Sequence, residues 1–121
     1  MAYDATSLAR LLKVLSVGAR VRIVQLLKGR ALCVNALAAR LDVTPGAVSQ
    51  HLRVMRDAGL VIDEKRGYYV HYRLNEETIA MWREEIERLL APTVGACGHA
   101  KGVRKCAVRM RKSRAARSRR T

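Results

Sequence analysis

The chain has 121 residues, half of them apolar but with no Phe and one Trp, so it has room for one domain whose core is built from aliphatic side chains. Lys and Arg outnumber Asp and Glu by 24 to 10, and the net charge of +14 favours a polyanionic partner, nucleic acid before an anionic membrane. No stretch approaches the roughly 18 apolar residues of a membrane span and no secretory signal opens the chain, which excludes a membrane protein and predicts a cytoplasmic one.

Two amphipathic helices are predicted at the start of the chain. Asp4 or Ser7 can cap the first, in which leucines recur at i, i+3, i+4 and i+7. The second runs from about residue 19 to residue 28, and Gly29 begins the turn after it.

A short third helix is predicted over Val34–Leu41, and a fourth helix begins a few residues later. Thr44 is a good cap for the fourth helix, and Pro45 stands at its first position, where the missing N–H costs nothing. One face of this helix is apolar, and the opposite face is polar and carries Gln50, Arg53 and Asp57. A short helix, a tight turn and a helix with a polar outer face predict a helix-turn-helix unit.

The segment from Leu60 to Leu74 is predicted to form two strands around a Lys65-Arg66-Gly67 turn, the only β-structure that we expect. Asn75 then caps a last helix, which ends before Pro92. Its apolar residues form a narrow seam typical of a helix that meets a partner helix, namely Ile79, Trp82, Ile86 and Leu89. The predicted fold class is therefore mainly α with a small β-hairpin, a winged helix-turn-helix.

This fold predicts DNA binding, because a helix fits the major groove and its free face can reach base edges. The predicted DNA-binding residues are Thr44, Ala47, Ser49, Gln50, Arg53 and Arg66. Gln can bind adenine, Arg can bind guanine, and the two hydroxyls are better suited to phosphate. The alternative is an ordinary polar face on a surface helix. For His51 and His71, DNA contact or packing is a better interpretation than metal binding.

Three segments are predicted: residues 1–92 as a DNA-binding and dimerisation domain, 93–106 as a cysteine-containing effector segment, and 107–121 as a basic, disordered tail. From Lys101 to Thr121 there are ten basic residues and no acid, so the tail adds sequence-independent DNA affinity. A protein that coats DNA through this tail is an alternative function, and a solubility tail is the alternative role for the segment. We expect no enzyme, since no nucleophile–base pair, paired-acid cleft or phosphate-binding glycine loop is present.

The run AVSQHLRVMRDAGLV, followed by a hairpin with RG at its tip, resembles the ArsR/SmtB family of winged-helix repressors, and the resemblance covers roughly residues 8–90. It implies a homodimer whose first and last helices form the interface, an operator with inverted-repeat symmetry, and an effector that releases the DNA. The predicted interface residues are Leu8, Leu12, Ile79, Trp82, Ile86 and Leu89.

Members of this family often sense metals or metalloids, and the resemblance implies candidate ligand sets. One set uses Asp and His on the last helix, but no His occurs there in this chain. Another places Cys-Val-Cys-Asp at the start of the third helix, where this chain keeps only the first thiol, Cys33. Cys97 and Cys106 bring the total to three thiols.

Three thiolates suit As(III) or Sb(III), whereas the addition of His99 makes a set that suits Zn(II) or Cd(II). The sequence therefore predicts a metal or metalloid site at Cys33, Cys97 and Cys106. Two alternatives stay open. A cysteine pair can act as a redox or persulfide switch of a repressor with the same fold, or Cys33 is a small half-buried residue and the other two thiols are incidental.

Overall fold

Five helices and three strands occupy residues 3–92, the part of the chain that the computed structural model describes. In chain order they are α1 (Ala5–Leu15), α2 (Gly18–Leu26), β1 (Leu32–Cys33), α3 (Val34–Leu41), α4 (Pro45–Asp57), β2 (Val61–Arg66), β3 (Tyr69–Leu74) and α5 (Glu76–Leu90). The predicted effector segment 93–106 and tail 107–121 lie outside the described residues.

Three helices begin with the side-chain caps that the sequence predicts. The carboxylate of Asp4 accepts from the Ser7 backbone N–H at 2.8 Å, and the Thr44 hydroxyl oxygen accepts from the Ala47 N–H at 3.1 Å. The Asn75 amide oxygen accepts from the Thr78 backbone N–H at 3.4 Å. These bonds satisfy N–H groups that have no partner inside the helix.

The second helix is shorter than predicted. It ends at Leu26 rather than at residue 28, because Leu27 already leaves the helical conformation and the chain then turns through Gly29 at φ 72°.

The expectation that the hairpin is the only β-structure is wrong, because a third strand, β1, joins it. The sheet has the order β1-β3-β2 with antiparallel neighbours, and β1 pairs Leu32 with Tyr72 and Cys33 with His71. A strand of two residues is too short to show alternation in the sequence. It forms because a distant strand supplies its hydrogen-bond partners, which only the tertiary fold brings together.

The hairpin turn also differs from the prediction. Arg66 pairs with Tyr69, so Lys65 and Arg66 belong to β2 and the turn consists of Gly67 and Tyr68. Gly67 has φ 62°, a left-handed conformation that two-residue hairpin turns require and that glycine adopts without strain.

The core lies between the helices and one face of the sheet. It is mostly aliphatic, as the composition predicts, and includes Leu11, Ile23, Leu27, Leu37, Leu41, Val48, Leu52, Met55, Leu60, Val61, Leu74 and Trp82. Because α3 and α4 each contribute residues from one face to this core, they are held as a packed pair with their opposite faces free.

Candidate functional site

A tight turn joins α3 to α4 and sets the angle between them. Asp42 ends α3 in the left-handed conformation at φ 56°, and the Val43 backbone N–H bonds back to the Ala38 carbonyl at 3.2 Å. Two residues later Pro45 begins α4 with its φ already helical. The structure therefore places α4 on the surface as the second helix of a helix-turn-helix.

The outer face of α4 is polar and accessible. Ser49, Gln50 and Arg53 are exposed, and Ala47 is half-buried beside them. Within residues 3–92 neither Gln50 nor Arg53 makes a side-chain hydrogen bond. Their donors and acceptors are therefore available to an external partner such as a base edge.

Thr44 and Arg66 are exposed but are also engaged inside the chain. The Thr44 hydroxyl oxygen accepts the cap bond, which leaves its own O–H free to donate. Arg66 donates to the Glu64 carboxylate at 3.3 Å, and Arg73 donates to the same carboxylate. These two donors lower the pKa of Glu64, Arg73 having the larger effect, so the β2–β3 hairpin partly neutralises its own charge.

His51 ties α4 to the first two helices. Its Nδ1 accepts from Arg20 Nε at 3.3 Å, and Arg20 Nη1 donates to the Val14 carbonyl at 3.3 Å. His51 is half-buried, and this contact is a packing role, one of the two that the sequence predicts for it.

Of the three predicted thiol ligands, only Cys33 lies in the described residues; Cys97, Cys106 and also His99 lie outside them. Cys33 is half-buried and stands at the cap position of α3, but its side chain makes no cap bond. A thiol that makes no cap bond at a helix start is available as a soft donor, which fits a thiophilic ion. Residues 3–92 contain no cluster of three or more Cys, His, Asp or Glu side chains that could hold a metal, so Cys33 needs ligands from elsewhere.

His71 lies in an unexpected place relative to Cys33. The two residues are paired across β1 and β3, although 38 positions of sequence separate them. Sequence reasoning missed this pairing because β1 itself carries no signal in the sequence.

The predicted interface residues on α1 and α5 differ in exposure. Leu12 is 39% exposed, whereas Leu8, Ile79 and Ile86 are half-buried against the core. On α5, Leu89 is 51% exposed and Met81 is 48% exposed. Trp82 is only 6% exposed and lies in the core of a single protomer.

Glu85 is a buried carboxylate that holds α5 to the chain start. It accepts from the Tyr3 backbone N–H at 2.8 Å and from Arg88 at 2.6 Å. These bonds lower the pKa of Glu85 against the opposing effect of burial, with the Tyr3 bond the stronger cause.

None of the helices in residues 3–92 has the length and apolar character needed to cross a membrane.

Comparison with known proteins places this arrangement in a family. The family model described as bacterial regulatory protein, arsR family, matches residues 18–63, from the start of α2 into β2. A crystal structure of a possible transcriptional regulator for arsenical resistance is 38% identical with a TM-score of 0.63, over 67% of this chain and 84% of that one. This chain belongs to the ArsR family.

Other relatives of this ArsR-family protein support the same fold and family. The arsenical resistance operon repressor of Escherichia coli K12 is 40% identical over 78 residues, which are 64% of this chain and 66% of that repressor, just under two thirds of its length. A homodimeric winged helix-turn-helix DNA-binding domain from Mycobacterium bovis is 24% identical with a TM-score of 0.59, over 78% of this chain and 87% of that one. The predicted winged helix-turn-helix fold is confirmed, and these relatives are regulators rather than enzymes.

Proposed function

We propose that this ArsR-family protein is a transcriptional repressor. As a homodimer it binds double-stranded operator DNA of inverted-repeat symmetry, and it releases this DNA when its thiolates hold As(III) or Sb(III). The observation that carries the proposal is the free polar face of α4, where Ser49, Gln50 and Arg53 project from a helix packed firmly on α3. The name of the E. coli relative, an arsenical resistance operon repressor, supports both the activity and the effector class.

The exposed side chains of α4 suit distinct parts of the DNA. Gln50 can bind adenine through two hydrogen bonds, and Arg53 can bind guanine in the same way. Thr44 and Ser49 are suited to phosphate, and Arg66 at the end of β2 to phosphate or the minor groove. Ala47 is small enough to let the first turn of α4 approach the bases.

Dimerisation is supported by the apolar surface of α1 and α5. Leu12, Met81 and Leu89 are large apolar side chains left exposed on these two helices, and Leu8, Ile79 and Ile86 lie half-buried alongside them. A second copy would remove this surface from water, while Trp82 supports it from the core side. Two copies related by a two-fold axis would present their α4 helices to successive major grooves, about 34 Å apart.

The proposed effector site combines Cys33 with Cys97 and Cys106. Cys33 is the last residue before the first helix of the helix-turn-helix, so any force on its side chain acts directly on the start of α3. The three thiolates would hold As(III) or Sb(III), and together with His99 they would suit Zn(II) or Cd(II). Release requires that the ligand bind the DNA-free state more tightly than the DNA-bound state.

The test begins with selection of an operator from random duplex DNA, followed by fluorescence anisotropy with and without As(III). Cys33→Ser is expected to bind the operator normally and to lose As(III)-induced release, and Cys97→Ser and Cys106→Ser are expected to do the same. Ala36→Ser, which adds a hydroxyl in the first turn of α3, is the matched control and should keep the response. If Cys33→Ser releases DNA at the same As(III) concentration as the parent, the proposed site is wrong.

Two other outcomes would favour the alternatives. Release by peroxide or persulfide, but not by As(III), would indicate a thiol-redox repressor. Equal competition by scrambled DNA, with loss of most binding on removal of residues 107–121, would indicate a sequence-independent DNA-coating protein that acts through the seven basic residues of this tail.

A further inference from the structure

One face of the sheet carries a row of three titratable side chains, one from each strand. Cys33 of β1 is paired with His71 of β3, which is paired in turn with Glu64 of β2. Residues directly opposite each other in antiparallel strands share a face, with Cβ atoms about 4.5–5.5 Å apart. By alternation this face is opposite to the one that carries buried Val61 and Leu74. All three side chains of the row are half-buried there.

Within residues 3–92, two donor atoms in this row have no hydrogen-bond partner. His71 Nδ1 is buried and makes no hydrogen bond within the described residues, whereas His51 Nδ1 accepts from Arg20. A buried nitrogen without a partner is unfavourable, and an ion is one of the groups that can satisfy it. The Cys33 thiol beside it is also free of the cap bond that its position allows.

Glu64 does not complete a three-donor site. Its carboxylate is occupied by Arg73 and Arg66, and no three-donor cluster occurs in residues 3–92. The two unused donors are therefore one sulfur and one imidazole nitrogen.

We propose that Cys33 and His71 form a two-residue site for a divalent ion of the zinc class, such as Zn(II), Cd(II) or Co(II), with water at the remaining positions. Sulfur and imidazole nitrogen are the ligands that these ions prefer, and in a tetrahedral site the two atoms lie roughly 3.5 Å apart. Cross-strand side chains can reach that separation by a small rotation about their Cβ bonds. The site shares Cys33 with the proposed arsenic site but does not depend on it, because As(III) takes thiolates and has little use for His71.

The test uses the full-length triple variant Cys97→Ser/Cys106→Ser/His99→Asn, in which the other two thiols and the third histidine are removed as donors. This variant is titrated with Co(II). A thiolate-to-cobalt charge-transfer absorption is expected, and it should vanish when Cys33→Ser is added. His71→Asn should weaken Co(II) affinity roughly tenfold or more, since even outer-shell partners of a metal contribute that much. His51→Asn is the matched control and should leave the affinity unchanged, and circular dichroism should confirm that all variants fold.

The inference is overturned if the triple variant shows no charge-transfer absorption with Co(II). It is also overturned if His71→Asn leaves the Co(II) affinity unchanged. Operator release by As(III), measured in His71→Asn with all three cysteines present, should match the parent. If As(III) release depends on the three cysteines but Co(II) affinity ignores His71, the proposed function stands and this site is wrong. If Co(II) binding needs Cys33 and His71 while Cys33→Ser still responds to As(III), this site stands and the proposed arsenic site is wrong.

Discussion

The two helices of the helix-turn-helix begin differently, although their cap residues have nearly the same backbone conformation. Thr44 before α4 has φ −73° and ψ 150° and accepts a bond from the helix, whereas Cys33 before α3 has φ −82° and ψ 167° and accepts none. The backbone at Cys33 would suit a serine cap, so the missing bond is a property of the side chain alone. Helix α4 begins with a residue that stabilises it, and α3 begins with a residue suited to soft ligands.

The largest loss of stability is expected from truncation of the buried leucines that α3 and α4 both contribute to the core. Leu37 in α3 and Leu52 in α4 are both almost completely buried, so Leu37→Ala and Leu52→Ala should each lower the free energy of unfolding by about 2–5 kcal/mol. Val54→Ala, on the exposed face of α4, is the control and should change it by less than about 0.5 kcal/mol. Denaturant unfolding measures all three, and a small effect for Leu37→Ala alone would mean that α3 is not packed as firmly as α4.

The next effect concerns the free face of α4. Arg53→Ala should reduce discrimination between operator and altered DNA by about 1–3 kcal/mol, because the variant loses the proposed bidentate contact to guanine. Stability should change by less than about 0.5 kcal/mol, since Arg53 is exposed. Arg22→Ala, an exposed arginine on α2, is the control in anisotropy competition. Equal discrimination in both variants would contradict the assignment of α4 as the DNA-recognition helix.

A smaller loss of stability is expected when the side-chain cap of α4 is removed. Thr44→Ala should lower the free energy of unfolding by about 1 kcal/mol, since the Ala47 N–H loses its partner. Thr44→Ser keeps a hydroxyl oxygen in place and should retain most of the stability. A loss of the same size in both variants would show that the methyl group, rather than the cap bond, stabilises α4.

The complementary change at Cys33 should have the opposite sign. Cys33→Ser is expected to raise the free energy of unfolding by about 0.5–1 kcal/mol, because the hydroxyl can accept from the first turn of α3. Cys33→Ala offers no acceptor and should give no such gain. A serine variant no more stable than the alanine variant would refute the view that α3 lacks only a cap.

The smallest effect is expected at the cap of α1, because a carboxylate cap titrates whereas the hydroxyl cap of α4 does not. Asp4 caps α1, and the Ser7 backbone N–H, followed by the Ser7 hydroxyl, holds the pKa of Asp4 below its ordinary value of 3.8. The unfolded chain binds more protons than the folded chain between these two pKa values, so stability rises with pH there. The cap contribution is thus complete above pH 3.8 and is lost as pH falls through the folded pKa. Asp4→Asn should remove this dependence from unfolding midpoints measured across acid pH, and an unchanged pH profile would contradict it.

Local sequence signals predicted most of the helical framework. The bounds of α3, the Thr44-Pro45 start of α4 and the Asn75 cap were predicted correctly because they depend on residues within one helical turn. The hairpin turn was predicted to begin two residues too early, since only the strand register shows that Lys65 and Arg66 are paired.

The candidate sites were predictable to different degrees. Exposure of Gln50 and Arg53 follows from the helical period, which assigns them to the face opposite Val48, Leu52 and Met55. The position of Trp82 did not follow, because an apolar seam has the same period whether it packs on its own core or on a partner helix.

Near neighbours in the sequence are enough to specify the helices, their caps, the polar face of α4 and the cysteine at the start of α3. The pairing of Cys33 with His71, and the hydrogen bonds from two arginines to the Glu64 carboxylate, depend on the tertiary fold. A strand as short as β1 has no stability of its own. It exists because β3 offers hydrogen-bond partners, and that pairing joins residues that no local pattern connects.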